Sequence, residues 1–144
     1  METYSSIIPT PIGNIEVTYN QTLILQVVFL PEHYNNNNYT TTFTTPLGNE
    51  IQTQFSEYFN KKRKEFDLPF VIQTKQFSTK CLQIVNTIPY GKTLSYKEVA
   101  TLLNNPYATR AVGNALNKNP VPLIIPCHRV IATNSSLTGY KYGI

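Results

Sequence analysis

Hydrophobic and polar positions change rhythm several times along the chain, and each change marks an element. Residues 13–31, GNIEVTYNQTLILQVVFLP, alternate and then run apolar. That predicts two or three strands, with YNQT as a turn. The polar, low-complexity stretch EHYNNNNYTTTF reads as a loop. In PLGNEIQTQFSEYFNKK the residues Ile51, Phe55, Tyr58 and Phe59 recur at helical spacing, with Asn49 as the expected cap. Lys61, Lys62, Arg63 and Lys64 follow, where a helix C-terminus favours cations. EFDLPFVIQTK reads as a strand or linker and carries the expected domain boundary, near residues 67–75.

The rhythm then becomes helical. FSTKCLQIVNTIP puts Phe77, Cys81, Ile84, Val85 and Ile88 on one face of an amphipathic helix, and Cys81 reads as a small core hydrophobe. YGKT is a turn. LSYKEVATLLNN is a short helix whose Ser95 and Glu98 have the spacing of a capping box. NNPYATRAVGNALNKNP is a second helix, with Asn105 as its cap, Pro106 in its first turn and Pro120 as its stop. Two short helices joined by a tight turn, after a longer one, make a helix-turn-helix. On the second helix Ala108, Ala111, Val112, Ala115 and Leu116 fall on one side, and Arg110, Asn114 and Asn117 on the other. That polar side is either a DNA-contacting face or a plain solvated one. Gly113 is costly inside a helix, so it marks a close approach to something.

Composition narrows the classes. The 144 residues hold one domain or two small ones and can bury a core without disulfides. Two cysteines, Cys81 and Cys127, make no disulfide framework, and with two histidines they offer no zinc-ligand spacing, so no metal is expected. No apolar run reaches the roughly 18 residues of a membrane span, and the N-terminus does not read as a signal peptide. A cytoplasmic or nuclear protein is expected. Charge is divided unevenly: residues 1–72 carry 4 basic and 7 acidic groups, and the remainder 8 basic and one acidic, Glu98. A basic second half suits a polyanion.

The candidate chemistry lies in NPVPLIIPCHRVIATN, residues 119–134. It places Cys127 beside His128 in a segment too rich in proline to be a helix. A thiolate is a strong nucleophile, and an adjacent base raises its population near neutral pH. On a strand, neighbours point to opposite faces. The pair therefore works together only if the segment bends or a water bridges them. Otherwise it is a buried cysteine beside a hydrogen-bonding histidine.

PVPLIIPCHRV resembles the active-site signature of the O6-alkylguanine-DNA alkyltransferases. IPYGKTLSYKEVA, ATRAVGNALNKNPVP and TGYKYG match further segments of that family in order, TPIGNIEV resembles its opening strand, and DLP resembles the end of its N-terminal domain. The resemblance implies an α+β protein, with a small ribonuclease-H-like α/β domain over residues 1–72 and a winged helix-turn-helix over 73–144. It implies irreversible transfer of an alkyl group from O6 of guanine in DNA to Cys127, once per protein, with O4-alkylthymine as a further candidate substrate. His128 would take the thiol proton through a water, and Tyr96 would give a proton or hydrogen bond to the departing purine. Arg110 would fill the gap left by a flipped base. Ala108, Ala111, Gly113 and Ala115 would allow close approach to the groove, some of the alanines serving the core instead, with Asn114 and Asn117 beside them. Asn119 would be a hinge and Arg129 a structural residue of the segment. Val130, Tyr140 and Lys141 would line the pocket. No cofactor is implied. The partner is double-stranded DNA containing alkylated guanine, there is no membrane, and a monomer is expected.

The chain departs from the family pattern at its end, where members usually continue into a helix whose glutamate orients the histidine. Slower transfer and lower stability are expected from that difference. The main rival is a lesion-binding sensor of the alkyltransferase-like type. Such proteins replace the cysteine, usually by tryptophan, whereas this chain has Cys127 and no tryptophan. A transcription factor would not need a cysteine in a proline-bounded segment, and a thiol peptidase would not need the basic second half. The family's occasional N-terminal zinc site has no cysteines near His33.

Overall fold

Glycine and asparagine turns organise the first part of the computed structural model, which describes residues 2–31 and 45–132. The chain forms two compact units, Met1–Val71 and Ile72–Ile144. In the first, β1 (Tyr4–Thr10), β2 (Gly13–Tyr19) and β3 (Ile24–Phe29) make an antiparallel sheet in that order. Thr10 pairs with Gly13, whose φ of +118° suits glycine and closes the hairpin. Asn20 makes the next turn, its side chain accepting from the N–H groups of Thr22 and Leu23. Ile15, Val17 and Tyr19 are buried at every second position of β2, the strand period in the sequence. The YNQT turn is present. The first strand, β1, is not expected from the pattern.

Helix α1 (Pro46–Phe59) buries Ile51 and Phe55 completely. Its cap is Thr45, whose hydroxyl accepts from the Gly48 N–H at 2.9 Å, and not Asn49. Pro46 fills the first helical position and fixes the start one turn earlier than the asparagine suggests. The buried Gln54 ties α1 to the segment behind it, donating to the Asp67 carbonyl and accepting from the Asp67 N–H. EFDLPFVIQTK is mostly connection, touching the sheet through one bridge between Phe70 and Ile24.

The second unit begins with α2 (Gln76–Val85), which packs on both α3 (Tyr96–Leu102) and α4 (Thr109–Asn117). Its buried stripe is Cys81, Leu82 and Val85, continued by Ile88, so the inward face is rotated from the expected one and Ile84 lies at its edge. Gly91 at φ +82° makes the YGKT turn, closed by the Lys92 N–H on the Pro89 carbonyl. Ser95 and Glu98 form the complete capping box of α3. The loop between α3 and α4 turns through Asn104 at φ +61°, a conformation asparagine tolerates.

Helix α4 starts later than expected. Asn105 does not cap it. Its carbonyl instead accepts from the Ala108 N–H, closing a turn around Pro106 and Tyr107, and the helix begins at Thr109 without a side-chain cap. Proline at the second position of such a turn is pre-set for it. After α4, a 3-10 turn (Cys127–Arg129) leads into β5 (Val130–Ile131), which pairs in parallel with β4 (Leu94–Ser95). The observed fold is mixed α/β: a small sheet unit and a helical unit of helix-turn-helix form.

Candidate active site and DNA-facing helix

The loop from α4 to the cysteine is held by one asparagine. Asn119 donates from Nδ2 to the Ile125 carbonyl at 3.0 Å and accepts on Oδ1 from the Val121 N–H at 2.9 Å. It thus fastens the end of α4 to the strandlike run before Cys127. Between those ties, Leu123 adopts φ +72° while 3% exposed. A left-handed residue with a side chain costs about 1 kcal/mol or more, so the burial of Val121 and Ile125 around the turn holds the strain. Pro126 then sits at φ −81°, ψ 65°, an inverse γ-turn, with the Cys127 N–H on the Ile125 carbonyl at 2.8 Å.

That bend bears on the geometric question raised by adjacent Cys and His. Cys127 and His128 are in a 3-10 turn, where successive side chains step by about 120° and do not alternate across a strand. Cys127 is 2% exposed. His128 Nδ1 is buried and has no hydrogen-bond partner among the described residues. Burial, and then the positive charge of Arg129, push the His128 pKa down to about 4, so the imidazole is neutral at physiological pH.

Arg129 is buried and anchored. Nη1 donates to the Ile88 carbonyl at 2.6 Å, and the guanidinium lies 5.5 Å from the Tyr90 ring centroid. These contacts tie the cysteine turn to the end of α2 and the loop after it, with a cation–π contribution from Tyr90. These contacts support the structural part that the family resemblance implies for Arg129. Tyr90 is not foreseen, because the two are joined only by the fold; the aromatic residue in IPYG is the available signal.

Pairing of Leu94 with Val130 and of Ser95 with Ile131 brings the first residue of α3, Tyr96, to the cysteine turn. The Tyr96 pKa is raised, first by burial and then by the charge at Cys127. Val130 is buried and donates its N–H to the Cys127 carbonyl. Tyr140, Lys141 and His33 lie outside the described residues. Cys81 is set apart: it is buried inside α2, and burial pushes its thiol up to about 11.

On α4, Arg110, Asn114 and Asn117 are exposed, and Val112, Ala115 and Leu116 are buried. Ala115 is therefore a core residue and not part of the groove-facing set, because it lies on the face packed towards α2 and α3. Ala108 and Ala111 are half-buried at the edges. A methyl added at Gly113 would meet nothing within 4 Å. Gly113→Ala is expected to raise stability by about 1 kcal/mol, seen as a higher denaturant midpoint, while weakening duplex binding. Unchanged binding would show that the glycine leaves room for no partner.

Comparison with known proteins places this geometry. Residues 3–72 match the family model described as 6-O-methylguanine DNA methyltransferase, ribonuclease-like domain, and residues 76–144 match its DNA binding domain. The chain is 36% identical over 141 residues to the constitutive methylated-DNA–protein-cysteine methyltransferase of Bacillus subtilis, covering 95% of this chain and 86% of that one. It resembles the crystal structure of Mycobacterium tuberculosis O6-methylguanine methyltransferase with a TM-score of 0.84 at 32% identity, covering 99% of this chain and 87% of that one. The structure of the M. tuberculosis protein in complex with DNA also matches, with a TM-score of 0.84 at 32% identity, over 97% of this chain and 85% of that one.

Proposed function

Because the chain belongs to the 6-O-methylguanine DNA methyltransferase family, we propose that Cys127 is the residue that takes the alkyl group, with His128 and Tyr96 as its proton partners. The protein is a methylated-DNA–protein-cysteine methyltransferase acting by direct reversal, and its partner is DNA. The substrate is double-stranded DNA carrying O6-alkylguanine, and one copy of the chain suffices.

The observation that carries this reading is the pairing of β4 with β5. It sets Ser95, the residue before Tyr96, against Ile131, four residues after Cys127, and this supports reading the Tyr96 hydroxyl, the Cys127 thiol and the neutral His128 as one site. The thiol proton passes to His128, through a water. The sulfur attacks the alkyl carbon, forming a C–S bond as the C–O6 bond breaks. The bonding electrons leave with guanine, and the Tyr96 hydroxyl supplies a proton or hydrogen bond to the purine. The thioether has no easy hydrolysis route, so the protein is consumed.

The target carbon is inside a duplex, so the nucleotide is flipped out, and a damaged pair resists this less. Arg110 is exposed on α4 and would enter the gap. The stoichiometry of lesion loss tests the reading. With duplex in excess, O6-methylguanine removal should plateau at one lesion per chain. Continued removal past that plateau would show a regenerated catalyst and contradict a thioether end state.

A further inference from the structure

From the turn that opens α4 we propose that Tyr107 is a DNA-contacting residue, its ring packing on the sugar and base edges beside the strand position that Arg110 enters. The proposal rests on reading the exposed side of α4 as the face that meets DNA. Tyr107 is 94% exposed, against 45 to 59% for the other exposed large apolar side chains, Ile12, Tyr90 and Leu102. None of the described residues covers the ring.

Its backbone, by contrast, is held. The Asn105 N–H donates to the Ala100 carbonyl and the Ala108 N–H to the Asn105 carbonyl, both at 3.0 Å, and Pro106 fixes the residue between. A tyrosine on such a support loses only two side-chain rotations when it is ordered, and it offers a large amphipathic surface in return. It stands three residues before Arg110, at the leading end of the exposed face that also carries Asn114 and Asn117. That face belongs to a unit with 8 basic residues and one acidic residue beyond position 72. The only acidic side chain there, Glu98, is occupied in the capping box of α3. The unit as a whole thus attracts a polyanion, and Arg110, three residues after the bare ring, is exposed to meet it. Stacking and packing of an aromatic on nucleotides tolerate any sequence, as a repair protein needs.

The test compares alkyl transfer from a duplex at subsaturating concentration with transfer from O6-alkylguanine supplied as the free base. The readout is the ratio of the two rates for the parent, Tyr107→Ala, Tyr107→Phe and Arg110→Ala. Tyr107→Ala should lower the ratio about tenfold, with an unchanged unfolding midpoint, and Tyr107→Phe should restore it to within about twofold because the ring is kept. A ratio unmoved by Tyr107→Ala but lowered by Arg110→Ala would overturn the Tyr107 contact and leave the DNA-facing helix standing. A ratio unmoved by either would overturn the helix reading itself. Equal loss in Tyr107→Phe and Tyr107→Ala would overturn ring packing in favour of the hydroxyl.

Discussion

Replacing Cys127 with alanine should abolish alkyl transfer while duplex binding persists, and replacing Cys81 should leave transfer in place. The two thiols differ in surroundings. Burial holds the Cys81 thiol at about 11, which at pH 7 leaves about one thiolate in ten thousand. It sits within a helix, on the core face. Cys127 stands in a bent turn next to a neutral imidazole, and the Tyr96 phenol is raised first by burial and then by the charge at Cys127. The check is gel-based repair of a duplex with one lesion, beside a binding titration of the same duplex. Cys81→Ala should cost about 1 kcal/mol of stability without slowing the reaction. Transfer by Cys127→Ala, or its loss in a folded Cys81→Ala, would reverse the assignment.

Acidification should destabilise the protein through His128. Its folded pKa is about 4, below the ordinary 6.5, because of burial and then Arg129. Between those values the unfolded chain binds a proton that the folded chain refuses, so stability falls as pH drops through the window. Above 6.5 both states are neutral, and below about 4 both are charged, so the slope ends at each side. The full loss is about 3 kcal/mol, since each tenfold drop in proton affinity is worth about 1.4 kcal/mol. Other groups titrate in the same range, so the difference between the parent and His128→Gln isolates this one. Denaturant unfolding at pH 7 and near pH 4 should show the parent losing about 3 kcal/mol more than the variant. Equal losses would mean that His128 is accessible to protons in the folded state.

Much of the second unit can be read from the chain alone. Ser95 and Glu98 announce the start of α3 because a capping box is a local device, closed within four residues. The split of α4 into Arg110, Asn114 and Asn117 on one side and Val112 and Leu116 on the other follows from helical period. Its start does not. Asn105 has cap chemistry, but Pro106 and Tyr107 make a turn with it, and the turn takes the asparagine carbonyl. Strand β1 escapes the pattern because Ser6, Ile7 and Ile8 are all buried, so it lacks the alternation that marks β2.

The reactive segment is legible as PCHRV, yet its geometry is not. Nothing local shows that Pro126 makes a γ-turn, that Leu123 is left-handed, or that Arg129 reaches the Ile88 carbonyl, 41 residues away. Those features come from packing between distant parts of the chain. Ala115 shows the same limit in a single residue. Small size suits it to a groove or to a core, and only the packing of α4 decides for the core.

The most direct measurement is the mass of the intact protein after mixing with a duplex carrying a single O6-methylguanine, followed by peptide mapping. A gain of one methylene per chain is expected, on the peptide that contains Cys127 and not on the one that contains Cys81. An unchanged mass with the DNA still bound, or a methyl group on another residue, would contradict it.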